Sequence, residues 1–140
     1  IDKYLSKISG PLLNRIDIQL EVSPVKYEDL KNTNMEESSA NIKKRIILAR
    51  NIQSKRYEGT GVLTNSELSG KYISKYCKVN KESEVLLKNA FDKLGLSARA
   101  YNKILKVSRT IADLDGAYDI DTKHVAEAIQ YRSLDRKYWR

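Results

Sequence analysis

Residues 96–116 read LSARAYNKILKVSRTIADLDG, and they carry the best-defined helical pattern in the sequence. Ser97 is a favoured helix N-cap residue, and Gly116, directly after Asp115, is a favoured helix stop. Between them, apolar and small side chains recur at spacings of three and four, which predicts a long helix with one buried face. The residues predicted on that face are Tyr101, Ile104, Leu105, Ser108, Ile111, Ala112 and Leu114.

Cap residues predict three further substantial helices. The first begins at Ser38 or Ser39 and runs to about residue 57, the second lies between Asn80 and Gly95, and the third begins at Asp121. In the first helix Ile42, Ile46, Ala49 and Ile52 recur at spacings of three and four, and they are predicted to face inward. The second helix holds Val85, Leu86, Ala90 and Leu94, and the third holds Val125, Ala126 and Ile129. Asn65 is predicted to cap a short helical piece through residue 68, and residues 72–77 are predicted to add another turn or two.

One β-strand is predicted near the start of the chain. Its apolar residues, Ile16, Ile18, Leu20 and Val22, alternate with polar ones, and that period of two is typical of a strand with one buried face. The rest of the sequence offers no second strand, and a lone strand can neither pair its backbone nor bury its face. We therefore predict a mainly α fold, a helical bundle with one orphan N-terminal strand. Because the chain opens on Ile1 rather than methionine, we expect it to be part of a longer protein.

The composition describes an ordinary globular domain of 140 residues with a basic balance. The formal net charge is +8, which favours phosphate-bearing partners, although most of the lysines and arginines are spread as on a solvated surface. No apolar run approaches the length of a membrane span, so no membrane partner is expected. The single Cys77 suits a reducing cytoplasm and excludes a disulfide framework, and with one histidine, His124, no metal site is predicted. We expect His124 to be a surface or partly packed side chain.

Two arginines are the candidate site residues. Arg99 lies two residues after the cap Ser97, at a helix end that favours anions and disfavours cations, so it is a candidate phosphate ligand. Arg15 stands at the start of the predicted strand, and an alternative for it is a surface salt bridge to Asp17 or Glu21. The sequence contains no GxxxxGK[ST] loop, so the chain by itself is predicted not to hydrolyse ATP.

Two segments carry a family resemblance. SGPLLNRIDI, residues 9–18, is similar to the SGPLLDRIDI of the magnesium-chelatase-like AAA+ ATPases of the ComM/YifB type, and residues 96–116 followed by HVAEAIQYRSLDR, residues 124–136, resemble that family's C-terminal signature. The resemblance runs from about Tyr4 to Arg136. It implies that residues 1–25 end the α/β core and that residues 26–140 form the helical lid. It also implies that Arg15 is an arginine finger acting on the neighbouring subunit's nucleotide and that Arg99 is sensor 2. Asn14 departs from the family's Asp.

The resemblance further implies a whole protein that works as a motor. That protein would use ATP and magnesium, bound outside this chain, and would assemble with its own AAA+ core into a homo-oligomeric ring, a hexamer. DNA is its candidate substrate, in recombination or natural transformation. The alternative is a standalone basic helical module that binds nucleic acid or a protein partner. The sequence leaves open whether the lid contacts DNA.

Overall fold

The computed structural model describes residue 12, residues 15–25, residue 27 and residues 37–132. Within them lie five α-helices and one short 3-10 helix, Asn65–Glu67, between the first two. The helices are α1 (Ser39–Arg56), α2 (Lys71–Tyr76), α3 (Lys81–Leu94), α4 (Ala98–Leu114) and α5 (Thr122–Gln130). This part of the chain contains no β-sheet, and an isolated parallel bridge joins Val79 to Ile120. The mainly α fold is confirmed.

Side-chain caps begin four of the helices, each where the sequence predicted a start. The cap oxygens accept backbone N–H groups as follows: Ser38 from Asn41 at 3.3 Å, Asn80 from Ser83 at 2.8 Å, Ser97 from Ala100 at 3.2 Å, and Asp121 from Thr122 at 2.9 Å. Gly95 ends α3 in the left-handed conformation, with φ of 61°. Because each cap satisfies an N–H group that would otherwise lack a partner, the chain positions these helix ends by local chemistry.

Helix α4 lies at the centre of the core and packs against α1 and α5, while α3 packs against α5. Ile104, Leu105, Ser108 and Ala112 are buried as predicted. Leu114 is wrongly predicted, because it is 40% exposed at the helix end. In α3, Leu87 enters the core, whereas Val85 is 61% exposed.

Helix α1 joins the bundle through its C-terminal half. Ala49 and Gln53 are buried, whereas Ile46, one turn before Ala49, is 49% exposed and Ile42, two turns before it, is 39% exposed. The helical prediction is therefore right, and the prediction that Ile42 and Ile46 face the core is wrong, because the core of the described residues ends near Ala49.

The predicted strand is an irregular segment in the structure. Ile16, Ile18, Leu20 and Val22 are all exposed, whereas the polar Gln19 between them is buried. The N–H of Gln19 donates to the carbonyl of Tyr131 at 2.9 Å, at the end of α5. Because the described residues offer no second strand, no ladder forms, and the segment hydrogen-bonds to a helix end instead. Pairing of this segment in a sheet stays a prediction for a longer chain.

Two polar residues lie deeper than predicted. Asn65 is not a cap: Thr64 precedes the 3-10 helix in an extended conformation, and Asn65 is its buried first residue. His124 is buried rather than superficial, and its Nδ1 accepts the N–H of Asp121 at 2.9 Å. With the Asp121 side chain accepting in return, the pair forms a capping box at the start of α5.

Candidate functional site

The N-terminus of α4 presents Arg99 to solvent. Ser97 caps the helix, so that Ala98 and Arg99 occupy its first two positions, and the first turn contains no acidic side chain. Arg99 is exposed, and it forms no ion pair with any residue that the structure describes. A guanidinium beside free N–H groups and the positive end of the helix dipole is an arrangement that suits an anionic ligand.

Arg99 is the first of three cations along one face of α4. Lys103 and Lys106 follow it at spacings of four and three residues, and both are engaged within the molecule. The ammonium of Lys103 lies 2.5 Å from the carbonyl oxygen of Arg15 and 2.5 Å from the carboxylate of Asp17. The ammonium of Lys106 donates to the carbonyl of Ser66 at 2.8 Å. Of these three cations, Arg99 alone has no partner among the described residues.

Arg15 lies beside the same helix. Its N–H donates to the carbonyl of Leu12 at 2.9 Å, and its side chain is exposed. Asp17, one of the two carboxylates proposed as its salt-bridge partner, pairs with Lys103 instead. Lys103 follows Arg99 by four residues, or roughly 6 Å along the helix axis. The helix that carries Arg99 therefore also contacts the backbone of Arg15.

An apolar groove lies beside Lys103 and Lys106, and neither candidate arginine lines it. It has a volume of about 590 Å³ and lies between residues 17–20 and the helices α4 and α5. Its apolar lining includes Ile18, Leu20, Val107, Ile111, Leu114 and Tyr131. Such walls do not match a polyphosphate, so the exposed arginines, rather than the groove, are the groups suited to an anion.

A buried ion cluster, which the sequence did not reveal, joins α1 to α4. The carboxylate of Asp113, which has no exposed surface, accepts two hydrogen bonds from Arg56, at 2.9 and 2.5 Å, and one from Arg109 at 3.1 Å. The side-chain Nδ2 of Asn65 donates a fourth hydrogen bond to this carboxylate at 2.8 Å. The Oδ1 of Asn65 accepts a hydrogen bond from the hydroxyl of Tyr57 at 2.5 Å. The members of the cluster come from three parts of the chain, so the cluster fixes α1, the 3-10 helix and α4 relative to one another.

The two guanidinium groups in this cluster respond differently to burial. Burial lowers the pKa of Arg109, against the opposing attraction of Asp113. Burial is also the largest single effect on Arg56 and acts in the same direction, but the hydrogen bonds to Asp113 and Tyr57 and the attraction of Asp113 together outweigh it and raise the pKa. Arginine stays protonated in either case, so the cluster holds two cations and one anion at neutral pH. The signal for this cluster in the sequence is the pair Arg109 and Asp113, which are four residues apart and lie next to small residues of the buried face. The same spacing is common for ion pairs on exposed helix surfaces, so it does not distinguish a buried pair.

Two further features of the described residues bear on the kind of site. No group of three or more His, Cys, Asp or Glu side chains in that part of the chain could hold a metal ion. None of the helices described is both long and apolar enough to cross a membrane.

Comparison with known families matches both parts of the chain. The family described as magnesium chelatase, subunit ChlI C-terminal, matches residues 36–132, and the family described as magnesium chelatase, subunit ChlI, matches residues 1–30. The chain is 43% identical over 137 residues to Competence protein ComM of Haemophilus influenzae, and 39% identical over 135 residues to Uncharacterized protein YifB of Escherichia coli. An uncharacterized protein of Mycobacterium tuberculosis, Rv2897c, is 30% identical over 130 residues.

These matches cover 97%, 96% and 93% of this chain, and the chain spans 26% of the length of each relative. The ChlI C-terminal family matches most of this basic helical chain, so the chain belongs to the AAA+ class of proteins. The chain belongs to the magnesium-chelatase-like AAA+ proteins of the ComM/YifB type, and it corresponds to their C-terminal part.

Proposed function

We propose that this chain is the lid-bearing C-terminal part of a ring-forming AAA+ ATPase, in which two arginines read the state of bound nucleotide. In this proposal residues 1–25 complete the α/β core, and residues 26–140 form the lid. Arg99 is sensor 2 and contacts the nucleotide phosphates. Arg15 is the arginine finger and reaches the γ-phosphate held by the neighbouring subunit.

One observation carries the assignment of Arg99. It stands exposed at the second position of α4, while Lys103 and Lys106 on the same face are engaged by protein oxygens. A cation at that end of a helix is locally unfavourable, and a residue that departs from the local rule is a functional candidate. A phosphate there would meet a planar fork of donors as well as the helix dipole.

The position of Arg15 supports the second assignment. One alternative role for Arg15 is a surface salt bridge to Asp17. In the structure Asp17 pairs with Lys103 instead. In the proposed role, the exposed guanidinium of Arg15 stabilises charge that accumulates on the oxygens of a transferred phosphoryl group. Arginine fingers are worth about 10³ to 10⁵ in turnover in enzymes that use them.

ATP and magnesium are the cofactors proposed for the whole protein. An exposed guanidinium fits a phosphate oxygen, so Arg99 is the residue of this chain that would hold and orient the nucleotide. Magnesium neutralises phosphate charge when it is bound, and the described residues contain no cluster of ligands for it. We assign the metal no residue here.

The process we propose is DNA motor or helicase activity, in the cytoplasm, during recombination or natural transformation. The resemblance to the ComM type and the net charge of +8 support it. The assembly proposed is a homo-oligomeric ring, a hexamer. We favour it over a standalone basic module because the family matches cover both residues 1–30 and residues 36–132.

ATP turnover by the whole protein tests this proposal. We expect DNA to stimulate turnover of the wild type, and we expect Arg15→Ala to abolish most of it. A finger acts in trans, so mixing Arg15→Ala subunits with subunits whose own nucleotide site is disabled should restore part of the activity. Unchanged turnover of Arg15→Ala would refute the finger assignment, and turnover indifferent to DNA would refute the DNA motor.

A further inference from the structure

A lysine–tyrosine surface lies on and after α2, away from the arginines. Residues 69–81 read SGKYISKYCKVNK, with four lysines and no acidic residue. The lysines, all of them exposed, are Lys71, Lys75, Lys78 and Lys81. None of them forms a salt bridge with a residue that the structure describes. Such an uncompensated charge favours a polyanion.

Two tyrosine rings are ordered within this surface. Tyr72 and Tyr76 lie one helical turn apart, with ring centroids 6.1 Å apart and planes inclined by 24°. The ring of Tyr76 also meets the ring of Tyr57 edge to face at 5.0 Å. Because Tyr57 is buried and hydrogen-bonded to Asn65, it holds Tyr76 in place from below. The two rings are therefore a platform whose orientation is set before any ligand arrives.

A lysine covers each ring. The ammonium of Lys71 lies 5.3 Å from the centroid of the Tyr72 ring, and that of Lys75 lies 4.9 Å from the centroid of the Tyr76 ring. Both tyrosines are partly exposed, so part of each side chain is open to solvent. A planar base that stacks on the ring would displace the flexible lysine by a short distance, to where it can meet a phosphate.

From this geometry we infer that the surface formed by Lys71, Tyr72, Lys75, Tyr76, Lys78 and Lys81 binds single-stranded nucleic acid. Stacking on a ring face needs an unstacked base, which a single strand offers and a duplex hides. An acidic peptide would satisfy the lysines and leave the aromatic platform unused. The inference deepens the DNA-directed part of the proposed function and rests on it, and it adds a binding surface that does not involve Arg15 or Arg99.

Fluorescence anisotropy of a labelled oligothymidylate with the 140-residue chain, without ATP, tests the inference. We expect Tyr72→Leu, which keeps apolar packing but removes the flat face, to weaken the affinity about fivefold or more. The matched control is Tyr118→Leu, since Tyr118 is 92% exposed and lies outside the surface. It should leave the affinity unchanged. Circular dichroism melting of each variant identifies any loss caused by unfolding.

A second pair of variants keeps the test sharp if Tyr72→Leu is unstable. The double change Lys71→Gln and Lys75→Gln should reduce the slope of log affinity against log salt by about 1.4, while Lys43→Gln and Lys44→Gln, exposed on α1, should change it far less. Equal losses in a variant and its control would overturn the inference, as would a duplex or polyglutamate that competes as well as an unlabelled single strand. Because no ATP is turned over, failure here is distinguishable from failure of nucleotide sensing.

Discussion

Lys103 donates a hydrogen bond from its ammonium to the main-chain oxygen of Arg15 at 2.5 Å. The same ammonium pairs with Asp17, and the Lys103 side chain is only 16% exposed. Since Lys103 lies one turn after Arg99, this contact joins the segment that carries one candidate arginine to the helix that carries the other. In the proposed ATPase, a displacement of α4 at the nucleotide would therefore move the backbone at Arg15.

Removing the contacts of Lys103 with Arg15 and Asp17 should loosen the segment of residues 15–20 and leave the helical bundle folded. In Lys103→Met we expect faster hydrogen exchange at the amide of Gln19, which donates to the carbonyl of Tyr131. Global stability should fall by about 1 kcal/mol or less, because Asp17 is largely exposed. Lys93→Met, at the exposed end of α3, is the control. Exchange at Gln19 that is the same in both variants would show that Lys103 does not hold the segment.

The buried carboxylate of Asp113 should be a major determinant of stability. Asp113→Ala leaves Arg109, which is buried, without its counter-charge, and breaking a buried pair in this way costs about 3–5 kcal/mol. Urea unfolding followed by circular dichroism measures the loss. Asp119→Ala, on an exposed residue, should change the free energy of unfolding by no more than about 0.5 kcal/mol. Similar losses for the two variants would contradict this account of the cluster.

The sequence predicted those features that local chemistry decides. Ser97 and Asn80 cap their helices because an oxygen at that position meets an N–H group two or three residues later, whatever the rest of the fold does. Gly95 ends α3 because it adopts a positive φ without strain. The family resemblance, confirmed by the matches to the ChlI families, rested on whole motifs rather than on periodicity.

The sequence did not predict features that depend on distant partners. Residues 16–22 alternate as a strand does, yet a strand exists only beside another one. Arg109 and Asp113 look like an ordinary exposed helical pair until Arg56, from α1, completes the cluster. Likewise, Leu87 is buried and Val85 is exposed because of the rotation of α3 about its own axis against α5. The spacing of apolar residues alone does not fix that rotation.

Burial of Cys77 predicts a dependence of stability on pH. Burial raises the pKa of this thiol from 9.0 to about 11. A pKa that is higher in the folded state means that the stabilisation is fully present below about pH 9 and is lost as the pH rises toward 11. The free energy of unfolding of the wild type should therefore fall over that interval by about 2 kcal/mol more than that of Cys77→Ala, as measured by urea unfolding. Parallel pH profiles would show that the thiol ionises equally in both states.

Nucleotide sensing by Arg99 is tested by measuring stability separately from turnover. Ser97→Ala supplies the control, because loss of the cap should cost about 1 kcal/mol of stability and affect turnover only indirectly. Arg99→Ala removes an exposed side chain with no partner among the described residues, so the free energy of unfolding should change by about 0.5 kcal/mol or less.

The decisive experiment measures kcat for ATP hydrolysis by the whole protein carrying Arg99→Ala, beside the melting temperature of the same variant. Loss of one charge-assisted hydrogen bond to a phosphate, worth about 1.5–3 kcal/mol, predicts that kcat falls by about tenfold to a hundredfold while the melting temperature stays near that of the wild type. An unchanged kcat, or a fall in kcat that merely follows unfolding of the lid, would contradict the assignment of Arg99 as the sensor.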